Sequence, residues 1–563
     1  MNCAVILLFF LLARQSPACA HANTEDELLQ HLRTFLAASP PKTTSTRRYG
    51  RLSEADQDTW PSGLLIGAGV SACQAEGAYN LYGKAESILD HPQHMPGFVS
   101  PFSTDVAADH YHRFREDLAF AKQMKFTSHR FSISWSRVLP TGGVDNVNQE
   151  GVEFYTDYIN EIINNGMEPM VTMLHFDQPY TLEKATGGWD SPAMIDKYVD
   201  YADFLFKTFG DKVKYWTTLN EPNMYCSYFR IITAENGQVD YSKFYQCIHN
   251  IILAHMKSYK LYEKKYRPTQ NGMVGISTLM LPPTPETKTQ EDQVAAEVFN
   301  QVYVGTLIHP IVFGDYPPVV RYLIDKRDAD DGLGRQRLPA FTPEEKLILA
   351  EGVTDFIALN VYGGCTASYN RNKTAVSAAG ILPGPSVEDI PFANINCSAD
   401  FSKIDSSVMH NALIWMWNEY HVPIIISENG YGDSKHAGVN DAARAAYHSA
   451  NLLSLVRTMK VYDVKVLAYY AWSLIDLFEF SSGYEGRPFG LVHVDYHNGS
   501  LNRTLKDSSK FFIRLHETGR VPFIPEPEPD NVSAGNALFA SHEVLALVCG
   551  QLLVCGSWFQ KHL

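Results

Sequence analysis

Two glutamates stand where carboxyl groups can act together on one substrate. The first lies in Thr217-Thr218-Leu219-Asn220-Glu221-Pro222, the second in Ile424-Ile425-Ile426-Ser427-Glu428-Asn429-Gly430. Each ends a short β-forming run. A residue before proline is pushed toward extended backbone, so Glu221 is expected extended at the rim of its strand. Three apolar β-formers carry the chain to Glu428, and Gly430 allows an immediate turn. Taken singly, a rim glutamate is a solvated residue. Taken together, on two strands of one barrel, they fit a paired-carboxylate hydrolase. Retaining glycosidases hold two carboxyls about 5–5.5 Å apart, one as nucleophile and one as acid and then base.

The elements that must position this pair follow from the alternation of short β-rich runs with amphipathic helices. Strands are expected at Leu64–Gly67, Ser128–Ser132, Pro169–Leu174, Tyr215–Leu219, Met273–Ser277, Asp355–Leu359, Ile424–Ile426 and Val466–Ala471. Helices such as Tyr111–Met124, Gln149–Asn164 and Ser191–Phe209 lie between them. Regular β–α alternation implies parallel strands, and eight units imply a (β/α)8 TIM barrel with chemistry at the strand ends. Residues 279–354 and 363–407 are then loop insertions on the C-terminal face. An open doubly wound sheet is the plainer alternative, but no GxGxxG follows the first strand, so a dinucleotide fold has no support.

Five motifs in order carry a family resemblance: Ser71-Ala72-Cys73-Gln74-Ala75-Glu76-Gly77-Ala78, Arg130-Phe131-Ser132-Ile133-Ser134-Trp135, Thr218-Leu219-Asn220-Glu221-Pro222, Ser427-Glu428-Asn429-Gly430 and Ala471-Trp472-Ser473-Leu474. From about Trp60 to about Pro522 the chain resembles glycoside hydrolase family 1, the retaining β-glucosidase family. The resemblance implies Glu221 as acid/base and Glu428 as nucleophile. The residue chemistry is compatible with those roles. A buried Arg130 needs a carboxylate partner, for which Glu428 is the candidate, and Tyr362 is expected to donate to it as well. Desolvation beside Trp216 and other aromatics is expected to keep Glu221 protonated.

The resemblance further implies that Gln74, His175, Asn220 and Glu479 bind the hydroxyls of the sugar, and these side chains supply the donors and acceptors such a ring needs. Asn220 is expected on the 2-hydroxyl. Trp472 offers a flat apolar floor, and Phe480 keeps a ring at the subsite. The chain departs from the family pattern at Phe176 and Phe480, where tryptophan is usual. Phe480 lacks the indole N–H, a loss of about 0.5–1.5 kcal/mol of hydrogen bonding. The loop after strand four, Tyr228 to Asp240, is short and lacks the usual Ala-Pro-Gly. Arg487-Pro488-Phe489-Gly490 carries an extra proline. These departures leave glucosidase, galactosidase and fucosidase open. The presence of Glu221 speaks against a thioglucosidase, since plant enzymes of that kind carry Gln there. The competing reading is a non-catalytic glycan-binding or receptor module on the same barrel; a transglycosidase would use the same covalent intermediate.

Composition bounds the rest. The chain has 563 residues, 47 Lys plus Arg against 62 Asp plus Glu, a net charge of −15, 45% hydrophobic and 19% charged residues. That mixture excludes disorder and a polytopic membrane protein, and the acidic balance excludes a nucleic-acid partner. The expected partner is a small β-glycoside. No CxxC or HExxH suggests a metal, and no cofactor is called for. Residues 1–20, with the run Ala4 to Ala13 and Ala18-Cys19-Ala20, read as a secretory signal. Residues 21–59 read as an extension outside the catalytic domain, residues 60–522 as the barrel, and residues 523–535 as a Pro-rich linker ending in Ser533-Ala534-Gly535. Residues 536–563 form a hydrophobic tail. Small residues, spacer and tail make the pattern of a glycosyl-phosphatidylinositol signal, hence a secreted or cell-surface protein; a spanning or amphipathic helix is the alternative. Sequons at Asn372, Asn396, Asn498, Asn502 and Asn531 agree with export. Once signal and tail are removed, Cys73, Cys226, Cys247, Cys365 and Cys397 remain, with Cys226–Cys247 and Cys365–Cys397 as candidate disulfides.

Overall fold

The computed structural model describes residues 25–38, 57–96, 103–229, 243–370, 390, 392–397, 401–434, 438–480, 482–497 and 499–527. Eight parallel strands close on themselves: β1 Leu65–Gly69, β2 Ser128–Ser132, β3 Glu168–Leu174, β4 Tyr215–Leu219, β5 Met273–Met280, β6 Phe356–Val361, β7 Ile424–Asn429 and β8 Val466–Trp472. Each pairs with the next in sequence, and β8 returns to β1 in the register Leu65↔Ala468 to Gly69↔Trp472. The expected (β/α)8 barrel is the fold.

The strands read as near-continuous apolar runs because both of their faces are covered. Met170, Phe356, Ala358, Ile425, Ala468 and Tyr470 alternate inward and fill the barrel. Ile357, Leu359, Ile424 and Ile426 alternate outward against helices such as His110–Gln123, Gln149–Asn164 and Ala193–Phe209. With the lumen filled, a ligand is left the cleft above the C-terminal strand ends.

Two segments expected as loops are structured. Between β5 and β6 run the helices Gln290–Asn300, Thr306–Phe313, Pro318–Asp330 and Pro343–Leu349. Pro283–Pro285, Cys365–Tyr369 and Ala393–Cys397 form a small three-stranded sheet in which Cys365 faces Cys397 and is bonded to it. Cys226 and Cys247 are bonded as well, and Cys73 is a free thiol. The segment expected to lie outside the catalytic domain contributes a helix, Glu25–Ala38, that docks on the helices Gln290–Asn300 and Pro318–Asp330. Leu32 is fully buried there, Phe35 packs on Tyr322 at 4.9 Å, and Arg33 pairs with Glu291. The residues expected as signal, linker residues 528–535 and tail lie outside the described residues, as do Asn372, Asn498, Asn531 and residues 230–242 of the β4 loop. Asn396 and Asn502 are exposed.

Candidate active site

Glu428 belongs to β7, but strict alternation would turn it away from the cleft. Ile425 points inward and Ile426 outward. The register against β6 then slips between Ile426 and Glu428, and Glu428 comes opposite Asn360. Such a bulge re-aims a side chain. Gly430 serves this geometry differently from expectation. It makes no left-handed turn; a Cβ at this position would sit 2.1 Å from the Trp472 carbonyl oxygen, so glycine is required for close approach of β7 to β8.

Glu221 also departs from expectation. Despite the following proline it is left-handed, with φ 42° and ψ 60°. Proline disfavours the right-handed helical region before it but does not enforce extension when tertiary contacts fix the turn. The turn aims two consecutive side chains the same way. The Asn360 amide donates from Nδ2 to Glu221 Oε1 at 2.7 Å and to Asn220 Oδ1 at 3.2 Å.

The two carboxyls have different surroundings. Glu428 is 4% exposed and accepts from Arg130 Nη1 at 2.6 Å and from the Tyr362 hydroxyl at 2.6 Å. A guanidinium and a phenol both donating is the setting of an ionised carboxylate. Arg130 continues to Asn220 Oδ1 at 2.7 Å, so Glu428, Arg130, Asn220, Asn360 and Glu221 form one unbroken chain of hydrogen bonds. Glu221, 7% exposed, has no cation of its own. Burial first, and the charge of Glu428 second, push its pKa up to about 8. Trp216 is not the desolvating group: it faces outward from β4 and packs on Phe206.

The remaining predicted residues gather around this pair. His175, 3% exposed, accepts at Nε2 from Asn220 Nδ2 at 3.4 Å, and its ring lies nearly parallel to Trp472 at 5.9 Å. Burial, then the Arg130 charge, hold its pKa well below the usual imidazole value, so it is neutral. Trp472 Nε1 donates to Glu479 Oε1 at 3.2 Å, and burial raises the Glu479 pKa well above the carboxylate range. Gln74 is oriented by Ser71 Oγ at 2.6 Å and by the Phe478 carbonyl at 2.7 Å. Behind it Glu76 is pinned by Arg137 at 2.9 Å and Tyr155 at 2.6 Å. Phe480 meets Phe176 edge to face at 6.0 Å, so the two phenylalanines that depart from the family pattern adjoin each other.

Sequence reasoning passed over Asn360. Its Oδ1 accepts from Ser427 Oγ at 2.6 Å and Ser277 Oγ at 3.2 Å, which fixes its Nδ2 toward Glu221. The signal was present, since Asn360 and Tyr362 share a face of β6 and its continuation by the period of two. Asp177, whose Oδ1 accepts from the His175 backbone N–H at 3.4 Å, was also passed over. Among the described residues no group of three or more His, Cys, Asp or Glu converges as a metal site.

The family model for glycosyl hydrolase family 1 matches residues 56–520. This chain belongs to that family. It is a retaining β-glycosidase. It is 34% identical over 477 residues to Myrosinase 1 of Brevicoryne brassicae, covering 82% of this chain and 99% of that one. It is 35% identical over 476 residues to Beta-glucosidase 42 of Arabidopsis thaliana, covering 82% and 94%. Among solved structures, a rice β-glucosidase variant in a covalent complex with Glc superposes with a TM-score of 0.72 at 31% identity, covering 81% of this chain and 99% of that one.

Proposed function

We propose that this glycosidase cleaves O-linked β-glucosides, with Glu428 as nucleophile and Glu221 as acid/base. The observation that carries the reading is the asymmetry of the pair. Glu428 has two strong donors, Arg130 and Tyr362, whereas Glu221 has one amide and a raised pKa. In the first step a Glu428 oxygen bonds to the anomeric carbon, the bond to the leaving oxygen breaks, and that oxygen takes the Glu221 proton. The ester neutralises Glu428, and the repulsion that helped keep Glu221 protonated disappears. Glu221 then takes a proton from water, whose oxygen displaces Glu428 from the anomeric carbon. Gln74, His175, Asn220 and Glu479 would hold the glycone over Trp472.

Glucose as glycone is supported by the relatives named β-glucosidases and by the polar set around Trp472; Phe480 is the point of difference. One relative carries the name myrosinase, so a thioglucoside belongs in the test. Purified protein is assayed on aryl β-glucosides, galactosides, fucosides and a thioglucoside, and labelled with a 2-fluoro β-glucoside. Turnover of the glucoside and a label lost in Glu428→Ala are expected. A label that persists in Glu428→Ala overturns the nucleophile assignment.

Export is part of the proposal. Residues 1–20, the sequons and the small residues before the tail support a secreted glycoprotein held by a glycosyl-phosphatidylinositol anchor. Release from cells by phosphatidylinositol-specific phospholipase C is expected; retention in the membrane after that treatment would favour a spanning tail.

A further inference from the structure

We infer that Ser427 is a positioning residue for the acid/base: its hydroxyl, with that of Ser277, holds the Asn360 amide so that the N–H and not the carbonyl faces the Glu221 carboxyl. The inference deepens the proposed function and rests on Glu221 being the acid/base.

Three strands meet at this amide. Asn360 lies on β6, Ser277 on β5 and Ser427 on β7. Ser427 falls in the bulge of β7, between Ile426, which pairs with Leu359, and Glu428, which pairs with Asn360. Two steps on β7 therefore match one on β6, and two consecutive side chains, Ser427 and Glu428, both enter the hydrogen bonds of the site. Ser277, Asn360 and Ser427 are fully buried, so no solvent competes for their polar groups.

The direction of each bond follows from Arg130. A guanidinium only donates. The Asn220 atom 2.7 Å from Arg130 Nη2 is therefore its oxygen. The Asn360 atom 3.2 Å from that oxygen must in turn be the nitrogen, Nδ2, and the same nitrogen lies 2.7 Å from Glu221 Oε1. The Asn360 oxygen is left facing Ser427 Oγ at 2.6 Å and Ser277 Oγ at 3.2 Å, and each hydroxyl donates to it.

This polarity matters to the acid. A carbonyl facing a protonated Glu221 would accept its proton in a hydrogen bond and compete for it with the leaving oxygen. An N–H facing Glu221 leaves that proton to the leaving group and stabilises the carboxylate that remains. A hydroxyl donating to the amide oxygen strengthens the N–H as a donor at the other end. Burial and the Glu428 charge raise the Glu221 pKa, and the Asn360 hydrogen bond acts against them. Ser427 is the closer of the two serines, so without its hydroxyl Asn360 Oδ1 keeps only the bond of 3.2 Å from Ser277.

The test is Ser427→Ala, compared with wild type on two β-glycosides of the sugar cleaved fastest among the aryl glucoside, galactoside and fucoside. One has an alkyl leaving group, which needs a proton; the other has a 2,4-dinitrophenyl leaving group, which does not. The ratio of their kcat/KM values cancels the folded fraction and weighs the acid step against nucleophilic attack, which both substrates need. We expect the ratio of alkyl to dinitrophenyl to fall about 3–10-fold, the factor carried by one neutral hydrogen bond. The alkaline limb of kcat/KM on the alkyl glycoside should move up by about 0.5–1 pH unit, because the ionised form of Glu221 is less well held. Ser427→Thr, which keeps a hydroxyl, should return both readouts toward wild type, and Ser277→Ala should move them the same way by less. A residue needed only for packing would lower the melting temperature and leave both readouts unmoved. An unchanged ratio or an unmoved limb in Ser427→Ala overturns the inference, as does a folded Ser427→Thr enzyme that matches Ser427→Ala. Glu221→Gln, run alongside, separates the two assignments. If it retains full activity on the alkyl glycoside, the acid/base assignment fails and this inference falls with it. If it loses that activity while Ser427→Ala behaves as wild type, only the Ser427 inference fails.

Discussion

At the scale of single residues, the site works by making two like carboxyls unlike. Arg130 and Tyr362 favour charge on Glu428; burial and that same charge disfavour it on Glu221. In the proposed role of acid, Glu221 must carry its proton when substrate binds, and its pKa is raised to about 8. Activity is therefore expected below that value and lost as pH rises through it, in a kcat/KM profile measured from pH 5 to 9. In Glu221→Gln the alkaline limb should vanish along with most activity on poor leaving groups. Tyr362→Phe removes one hydrogen bond to a charged group, worth about 1.5–3 kcal/mol. That predicts a roughly 10–150-fold fall in kcat/KM on an aryl glucoside; a change under threefold would show that the phenol does not support the nucleophile. The glutamates were legible because each ends an apolar β run in a distinctive motif. The left-handed turn at Glu221 was not, since a local rule about proline carries no knowledge of the contacts that override it. Trp216 misled for a related reason: nearness in sequence on a strand does not say which face a ring takes.

At the scale of elements, the barrel strands were legible and their ends were not. The apolar middles of β5, β6 and β7 marked them, but the strands continue to Met280, Val361 and Asn429. The added residues include polar ones, Thr278, Asn360, Ser427, Glu428 and Asn429, which look like loop. Closure of the sheet keeps them paired, and several are hydrogen-bonded side chain to side chain, Ser427 to Asn360 and Asn360 to Glu221. The β7–β8 junction depends on Gly430. In Gly430→Ala the new methyl would press on the Trp472 carbonyl, so both stability and sugar affinity should fall, read as a lower melting temperature and a higher KM. Another element-level feature is the turn after β3. Phe176 there has a φ of 68°, and the next residue, Asp177, is 1% exposed with Oδ2 unpaired. Its charged neighbours are already matched, Glu76 with Arg137 and Asp90 with Lys84. Burial raises the Asp177 pKa to about 7. The sign follows directly: in the unfolded chain the group ionises near pH 4, in the folded chain near 7. Its burial costs nothing below pH 4, progressively more between 4 and 7, and the full amount above 7. Asp177→Asn should accordingly gain stability over wild type as pH rises from 5 to 8, by an order of a few kcal/mol in urea unfolding. A stability difference that stays flat across this range would show that Asp177 does not carry the shift.

At the scale of the whole molecule, the catalytic barrel is braced from outside. The bonds Cys226–Cys247 and Cys365–Cys397 close loops with sequence separations of 21 and 32 residues, and loops of that size are stabilised by about 3 kcal/mol each in the chain-entropy account. The sequence offered these pairs only as candidates, because spacing does not fix connectivity. The helix Glu25–Ala38 is a brace the sequence assigned to a separate extension. Nothing in the chain itself named the face that would receive it. The structure seats it on the helices Gln290–Asn300 and Pro318–Asp330, with Leu32 fully buried, Leu29 nearly so, and Tyr322 packed between His31 and Phe35. These contacts lie on helices outside the closed sheet, whereas Glu221 and Glu428 sit at the strand ends. Stability and chemistry should therefore separate. Leu32→Ala removes a buried side chain at a cost of about 2–5 kcal/mol if the helix belongs to the cooperative unit. The expected outcome is a melting temperature lowered by a few degrees, with kcat and KM on the aryl glucoside at 25 °C within twofold of wild type. An unchanged melting temperature would mean that the helix docks and leaves independently of the barrel. A fall in kcat with the melting point preserved would mean instead that the docked helix acts on the site through Gln290–Asn300, one of the two helices it packs on.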